Sequence, residues 1–268
     1  MLKDITLGQY FPGETVIHRM DPRVKIIVTF AYIITLFLAN NPAGYALMFL
    51  TLATVVLLSK ISLKVILRSM KPLLFIIVFT AVLNMFYSGG DDVIFKIWIF
   101  KLTWQGLERA IYMVLRISML VVGTFVFLTY TTSPIKLTDG IEALFRPLQK
   151  IHMPVHELAM MMTIALRFIP TLVEETDKII SAQRARGADF ESGNLLQRAR
   201  ALIPILVPLF VSAFRRADEL AVAMECRCYR GSEGRTRMKE LKMAGIDYAS
   251  LAAAALLCAS VICLRVFL

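Results

Sequence analysis

Long apolar runs separated by short polar and basic segments dominate this chain. A helix needs roughly 20 predominantly apolar residues to cross a bilayer, and five runs approach or reach that length. They predict membrane spans at residues 24–40, 43–59, 72–88, 111–131 and 246–268. No segment shows the alternation of apolar and polar residues that is typical of a strand. The pattern therefore predicts an all-α, polytopic membrane protein with about five transmembrane helices.

Two further long helices are predicted between the fourth and fifth spans. They cover residues 153–186 and about 195–230, with a break from Gly187 to Gly193, and internal prolines predict that both are kinked. Because charges inside hydrocarbon are costly, the sequence favours long kinked helices at the cytoplasmic membrane surface. The alternative is that they are further buried transmembrane segments. The prolines are Pro170, Pro204 and Pro208, and the charges are Arg167, Glu174, Glu175, Arg215 and Arg216.

Basic residues predict the orientation of the chain. Lys and Arg are concentrated before the first span, in the loop at 60–71 and throughout 132–245, whereas the turn at 40–42 has no charge. Cytoplasmic segments carry the excess of Lys and Arg, so we expect a cell-membrane protein with a cytoplasmic N-terminus and an external C-terminus. The predicted organisation is a four-span region at 1–131, a cytoplasmic or interfacial region at 132–245 and a last span at 246–268. The polar opening residues do not resemble a signal peptide.

Composition limits the partners and the chemistry. The chain is 57% hydrophobic, with a mean hydropathy of +0.67 and a net charge of +10. The positive charge suits anionic lipid or an acidic protein, and we expect no nucleic acid because no binding motif accompanies it. No phosphate-binding loop is present. His152 and His156 are four apart without a third ligand, and Cys226 and Cys228 are too few for a zinc site. We therefore expect no metal, no cofactor and no catalytic residues, and we expect the cytoplasmic cysteines to stay reduced.

Arg116 and a methionine run allow two interpretations each. Arg116 lies inside the fourth predicted span, where an ion is by default a functional candidate, but it could also reach the outer interface. Met160, Met161 and Met162 are consecutive on the helix at 153–186. Flexible methionines suit a surface that accepts several partners, and they also fill gaps in cores.

The most informative feature is an arginine-centred helix end that occurs twice. Ala185-Arg186-Gly187 and Cys226-Arg227-Cys228 each follow a helix-like stretch with an acidic pair upstream, and a glycine follows within a few residues. A cation is favourable at a helix C-terminus, and glycine allows the helix to stop. Ordinary capping explains one such end. Two similar ends in one membrane protein indicate docking surfaces.

These ends resemble the two short X-Arg-X motifs of the EcfT family, the transmembrane T components of energy-coupling factor (ECF) transporters. The first motif matches closely, and the second matches at its arginine, with cysteines in place of alanine and a small residue. The resemblance covers essentially the whole chain, because three further segments are similar to the family pattern. These segments are the opening Gly8-Gln9-Tyr10-Phe11-Pro12-Gly13 with His18 to Lys25, the run Leu166-Arg167-Phe168-Ile169-Pro170, and Ala217-Asp218-Glu219-Leu220-Ala221.

The resemblance implies a function. T components link two cytoplasmic ABC-type ATPases to a membrane S component that captures a vitamin or a metal ion, and they are not enzymes. It implies that residues 185–187 and 226–228 contact the ATPases, and we expect the S component to touch Met160, Met161 and Met162. The alternatives are a membrane enzyme, which needs a catalytic cluster inside the spans, and an ordinary ABC permease, which needs only one coupling end per subunit.

Overall fold

A computed structural model describes residues 10–87, 93–97, 100–190, 194–231 and 241–267. The helices of these parts account for nearly all of the regular structure, and the predicted all-α class is confirmed. The helices are α1 Val16–Arg19, α2 Pro22–Leu38, α3 Pro42–Ser59, α4 Leu63–Met70, α5 Leu74–Tyr87, α6 Trp104–Thr124, α7 Pro134–Phe145, α8 Val155–Ala185, α9 Leu195–Cys226 and α10 Gly245–Phe267. Short 3-10 turns at Lys71–Leu73 and Arg146–Ile151 and a π-helical turn at Phe125–Tyr130 adjoin them.

One short hairpin departs from the helical pattern. Strands β1 Val93–Ile97 and β2 Phe100–Thr103 pair antiparallel between α5 and α6. The pattern of apolar and polar residues predicted no strand here. A single two-stranded ribbon is too small to change the class of the protein.

Within the described residues, six helical stretches are long and apolar enough to cross a membrane. They are Pro42–Ser59, Leu63–Met85, Trp104–Tyr130, Val155–Ala185, Leu196–Cys226 and Gly245–Phe267. The predicted first span corresponds to α2, whose 17 residues make it slightly shorter than these. Length and composition therefore support a multi-pass membrane protein.

The chain forms two compact units, one of residues 142–240 and one of residues 8–141 with 241–268. Compactness does not report the side of the membrane on which a segment lies. The division into a four-span region, an interfacial region and a last span therefore remains a prediction.

Helix α2 forms the centre of the unit that contains α3, α6 and α10. Its buried residues Val24, Val28, Tyr32 and Leu36 recur every four positions, so they form one stripe along the helix. This stripe belongs to one core with residues of the three other helices. The Tyr32 hydroxyl donates to the Met119 carbonyl oxygen at 3.1 Å, and a Cβ at Gly123 would collide with the Tyr32 ring. Glycine at position 123 therefore permits the close packing of α2 and α6.

Two cations join α2 to α6 and to the π-helical turn that follows α6. Arg116 of α6 donates to the carbonyl oxygen of Ala39, which follows α2, at 3.2 Å. Its guanidinium also lies over the rings of Phe37 and Tyr45, at 5.8 and 5.7 Å. In the opposite direction, Lys25 of α2 is 1% exposed and donates to the Thr131 carbonyl oxygen at 2.8 Å. Carbonyl groups at helix ends lack partners within the helix, so both side chains satisfy acceptors that would otherwise stay unpaired.

The opening motif of the chain joins α2 to α10. Asp21 caps α2 by accepting from the Arg23 backbone N–H at 2.9 Å, and the Arg23 guanidinium binds the same carboxylate. Arg23 also reaches the Leu241 carbonyl oxygen at 2.9 Å. The backbone N–H of Asp21 donates to the Asp247 carboxylate at 2.8 Å. We call Asp21, Arg23 and Asp247 the α2–α10 junction.

Candidate functional site: two matched arginine helix ends

Helices α8 and α9 pack as an antiparallel pair within their unit. The side-chain amide of Gln183 donates to the Pro204 carbonyl oxygen at 3.4 Å, and Arg216 binds Glu175 at 2.8 Å. Gln183, near the end of α8, contacts Pro204 in the first third of α9, whereas Glu175, earlier in α8, contacts Arg216 later in α9. The two helices therefore run in opposite directions. Pro208 has no N–H to donate to the carbonyl of residue 204. The Pro204 carbonyl oxygen therefore lacks its usual acceptor role in the helix and can accept from Gln183 instead.

The Glu175–Arg216 ion pair marks the register of α8 and α9. The two side chains remain about a quarter to a third accessible, at 22% and 36% exposed. An ion pair this accessible contributes little to stability. It does pair two charges that sequence reasoning marked as costly in a membrane.

Both helices end in the same backbone geometry, and an arginine occupies the same position in each. Arg186 follows α8 with φ −85° and ψ 4°, and Arg227 follows α9 with φ −92° and ψ 15°. The next residue is left-handed in both, Gly187 with φ 86° and Cys228 with φ 55°. A left-handed residue directly after the capping residue is the signature of a Schellman motif.

The hydrogen bonds of the two ends also correspond. At the first end, the Gly187 N–H donates to the Arg184 carbonyl oxygen at 2.9 Å, and the Ala188 N–H donates to that of Gln183 at 3.0 Å. At the second end, the equivalent bonds run from Cys228 to Glu225 at 2.8 Å and from Tyr229 to Met224 at 3.1 Å. Each motif therefore satisfies the last carbonyl groups of its helix without using the arginine side chain.

The two guanidinium groups are available for a partner. Residues 185–187 and 226–228 are all exposed. Within the part of the chain that the structure describes, neither Arg186 nor Arg227 has a hydrogen bond or an ion pair from its side chain. The neighbouring Arg184 does have an interaction partner. The predicted site residues thus lie at two exposed cationic helix ends.

The antiparallel pairing places these two ends far apart. Glu175 precedes Arg186 by as many residues as Arg216 precedes Arg227, and neither interval contains a proline. At 1.5 Å per residue each interval is roughly 16 Å long. Because the helices run in opposite directions from the ion pair, the arginines lie roughly 30 Å apart along the helix axes. They form two separate surfaces, so one small partner surface cannot bind both.

The predicted methionine surface is largely exposed. Met161 and Met162 on α8 are 54% and 46% exposed, and Met160 is partly buried. Met161 and Met162 are therefore not core residues of their unit. What they contact in an assembly remains a prediction.

The described residues contain no group of three His, Cys, Asp or Glu side chains that could hold a metal ion. His156 is engaged with Glu142, with Nδ1 and the carboxylate 2.9 Å apart. The opening motif around Asp21 and Arg23 resembles the family pattern in sequence, which indicates no structural role for either residue. Their partners Leu241 and Asp247 are distant in sequence, so no local pattern could have revealed the α2–α10 junction.

The fold defines a multi-pass α-helical membrane protein. Comparison with known proteins then gives the family. Residues 13–238 match the family model CbiQ, described as a cobalt transport protein. The chain is 57% identical to the energy-coupling factor transporter transmembrane protein EcfT of Thermosediminibacter oceani over 96% of both chains. It is 56% identical to EcfT of Clostridium kluyveri over 98% of this chain and 97% of that protein. It is 46% identical to EcfT of Bacillus subtilis over 99% of this chain and 100% of that protein.

The chain therefore belongs to the CbiQ/EcfT family of transporter transmembrane proteins. The predicted resemblance is confirmed. The names of the relatives are consistent with a non-enzymatic subunit of a transporter complex.

Proposed function

We propose that this chain is the transmembrane coupling subunit of an ECF-type ABC importer. It links two cytoplasmic ABC-type ATPases to a membrane S component that captures the transported vitamin or micronutrient. The region at 132–245 faces the cytoplasm, the N-terminus is cytoplasmic and the C-terminus is external. The chain performs no covalent chemistry, and ATP hydrolysis by its partners drives uptake.

The matched arginine helix ends are the observation that supports this proposal. An arginine offers a planar, bidentate donor for carboxylates, and a helix end holds it with little slack. Two ends in the same geometry, roughly 30 Å apart, suit two related ATPases, each of which binds one end. A permease that dimerises needs one such end per chain, so the duplication favours the coupling role.

The S component requires an apolar surface in the same unit, and two stretches supply one. One is the methionine run at 160–162. The other is a stripe on α9 formed by Val207, Phe210, Val211 and Phe214, of which Phe214 is 68% exposed. These four residues recur at the helical spacing, so they share one face. In the importer this face meets the S component or lipid.

The substrate is chosen by the S component. The description of the matching family names cobalt, and the names of the EcfT relatives specify no substrate. We therefore propose that the transported substrate is a vitamin or a micronutrient metal ion, and that the S component determines which one.

Alanine substitution of the two arginines tests the coupling role. In the assembled complex each arginine pairs with carboxylates in an ATPase groove. Removing one partner of a buried charge pair costs about 3–5 kcal/mol, which weakens binding by roughly two to three and a half orders of magnitude. Arg186→Ala and Arg227→Ala each reduce ATP-driven uptake, and the double variant loses both ATPases from purified membranes. Lysine at either position restores function only in part, because it lacks the planar fork.

Arg230→Ala is the matched control, since Arg230 is exposed and lies just outside the second helix end. It should retain both ATPases. If the double alanine variant still holds both ATPases and transports normally, the two arginine side chains do not couple the chain to the ATPases and the coupling proposal is wrong. Co-purification from native membranes separates the alternatives, since a permease brings a second copy of itself.

A further inference from the structure

The second helix end carries two thiols that have no counterpart at the first. Cys226 is the last residue of α9 and Cys228 is the left-handed residue of its cap. Both are free and exposed. The equivalent positions at the first end are Ala185 and Gly187.

We propose that Cys226 and Cys228 form a thiol–disulfide modification site that controls the position of Arg227. Its reactant is a low-molecular-weight disulfide such as oxidised glutathione. The effect on ATPase binding rests on the proposed function above. The chemistry and the change at the helix end do not.

The spacing permits the bond, but the present backbone conformation opposes it. On a helical backbone, residues two apart have Cα atoms about 5.4 Å apart, inside the usual disulfide range of about 4.4–6.8 Å. Residues two apart on a helix do not face each other, and Cys228 lies beyond the capping Arg227 in the left-handed region. Closing the bond therefore requires rotation of the backbone at Arg227, which lies between the two cysteines.

Cys228 already occupies a costly conformation. Its φ of 55° lies in the left-handed region, which a residue with a Cβ adopts only at a cost in free energy. Gly187 meets the same requirement at the first end without this cost. Rotation at Arg227 on oxidation breaks the N–H bonds of Cys228 to Glu225 and of Tyr229 to Met224. Arg227 then leaves the geometry that it shares with Arg186.

The reaction is a two-step exchange. A thiolate of the pair attacks one sulfur of oxidised glutathione, whose S–S bond breaks, and one glutathione leaves as its thiol. The second cysteine thiolate then attacks the mixed disulfide and releases the other glutathione. Two cysteine thiols are oxidised, one glutathione disulfide is reduced to two thiols, and the thiol protons pass to these products. In a reducing compartment the resting form is the dithiol.

Only one helix end can respond, because Ala185 and Gly187 carry no thiol. Oxidation therefore affects the partner of Arg227 and leaves the partner of Arg186 in place. The modification is reversible by thiol reductants.

The test uses the full-length protein, alone and in complex, in lipid nanodiscs with oxidised glutathione. Mass spectrometry after alkylation is expected to show an intramolecular Cys226–Cys228 bond. Hydrogen exchange in the peptide around 224–231 is expected to speed up at least tenfold and to recover with dithiothreitol. The matched control replaces both thiols by the residues of the first end, Cys226→Ala with Cys228→Gly, and should respond in neither readout. Oxidation of the wild type should weaken ATPase association at least tenfold. The ATPase association of the control, compared with the same control kept reduced, should not change on oxidation.

Free thiols or only mixed disulfides after treatment overturn the inference. So does a disulfide that leaves the exchange of the cap amides unchanged. If the reduced wild type binds no ATPase, the proposed function fails, whereas mass spectrometry and hydrogen exchange still decide the inference.

Discussion

Asp247 of the α2–α10 junction offers the sharpest test of how this fold is held together. It is 1% exposed, and its two carboxylate oxygens accept from the backbone N–H groups of Asp21 and Ala244, both at 2.8 Å. One bond ties the start of α10 to itself and the other ties it to the residue that caps α2. Alanine at position 247 removes both bonds at once.

The expected cost follows from the burial of the two donors. A hydrogen bond to a charged group contributes about 1.5–3 kcal/mol to the free energy of unfolding. When its donor stays buried without a new partner, the whole of that contribution is lost. The Asp21 N–H is buried and the Ala244 N–H lies at an exposed residue, where water can replace the carboxylate. Asp247→Ala should therefore cost about 3–4 kcal/mol. Asp247→Asn keeps one acceptor oxygen without the charge and should cost about 1–2 kcal/mol.

Thermal unfolding in detergent, followed by circular dichroism, measures this effect. Thiol-reactive dyes are unsuitable because Cys226 and Cys228 are already exposed in the folded protein. For a chain of this size the alanine variant should unfold roughly 10 °C lower than the wild type, with the asparagine variant between them. Glu108→Ala is the control, because it removes an exposed carboxylate of the same unit. An alanine variant that unfolds with the wild type, or an asparagine variant no better than alanine, refutes the reasoning.

Three further predictions test other parts of the molecule. Alanine at all of residues 160–162 should weaken S-component association while ATPase binding persists, and equal loss of both in pull-downs contradicts the assignment. In a cysteine-free background, a cysteine at Asn41 should react with an impermeant reagent from outside, and one at Ser232 only after permeabilisation. Burial alone would raise the pKa of the Asp21 carboxyl, but hydrogen bonds from Arg23 hold that pKa below its usual value. The stability that Asp21 contributes is therefore complete above about pH 5 and lost as the pH falls through the lowered pKa, so the melting difference to Asp21→Asn should shrink in acid.

The sequence predicted the regular elements well where one signal was enough. The apolar run at 43–59 became α3 at Pro42–Ser59, and the run at 246–268 became α10 at Gly245–Phe267. A proline at the start of α3 and continuous apolar residues leave little choice of structure there. The two arginine ends were likewise visible, since cation, helix stop and spacing occur together in sequence.

The features that the sequence could not predict are the ones that depend on contacts between residues far apart in the chain. Lys25 reads as one of the basic residues that orient the chain, yet it is buried on the end of the π-helical turn, and the acceptor of Thr131 lies 106 residues away. Asp247 looked like an acid at the start of a span, and its partner Asp21 is 226 residues away. Composition also leaves α8 and α9 undecided, because both are long and apolar enough to span a membrane while carrying charges that favour its surface.

The arrangement of α8 and α9 explains why a repeated motif need not mean a symmetrical one. From the Glu175–Arg216 pair, a proline-free helical segment of roughly 16 Å leads to each arginine. A movement of either helix end would therefore be transmitted to the ion pair over the same length of helix. The caps at the ends of these segments share one backbone geometry, yet one is made with glycine and the other with a strained cysteine. Segments of equal length make the two ends mechanically alike. Because the second cap holds a residue with a Cβ in the left-handed region, we expect that end to be the easier one to displace, and it is also the end that carries the thiols.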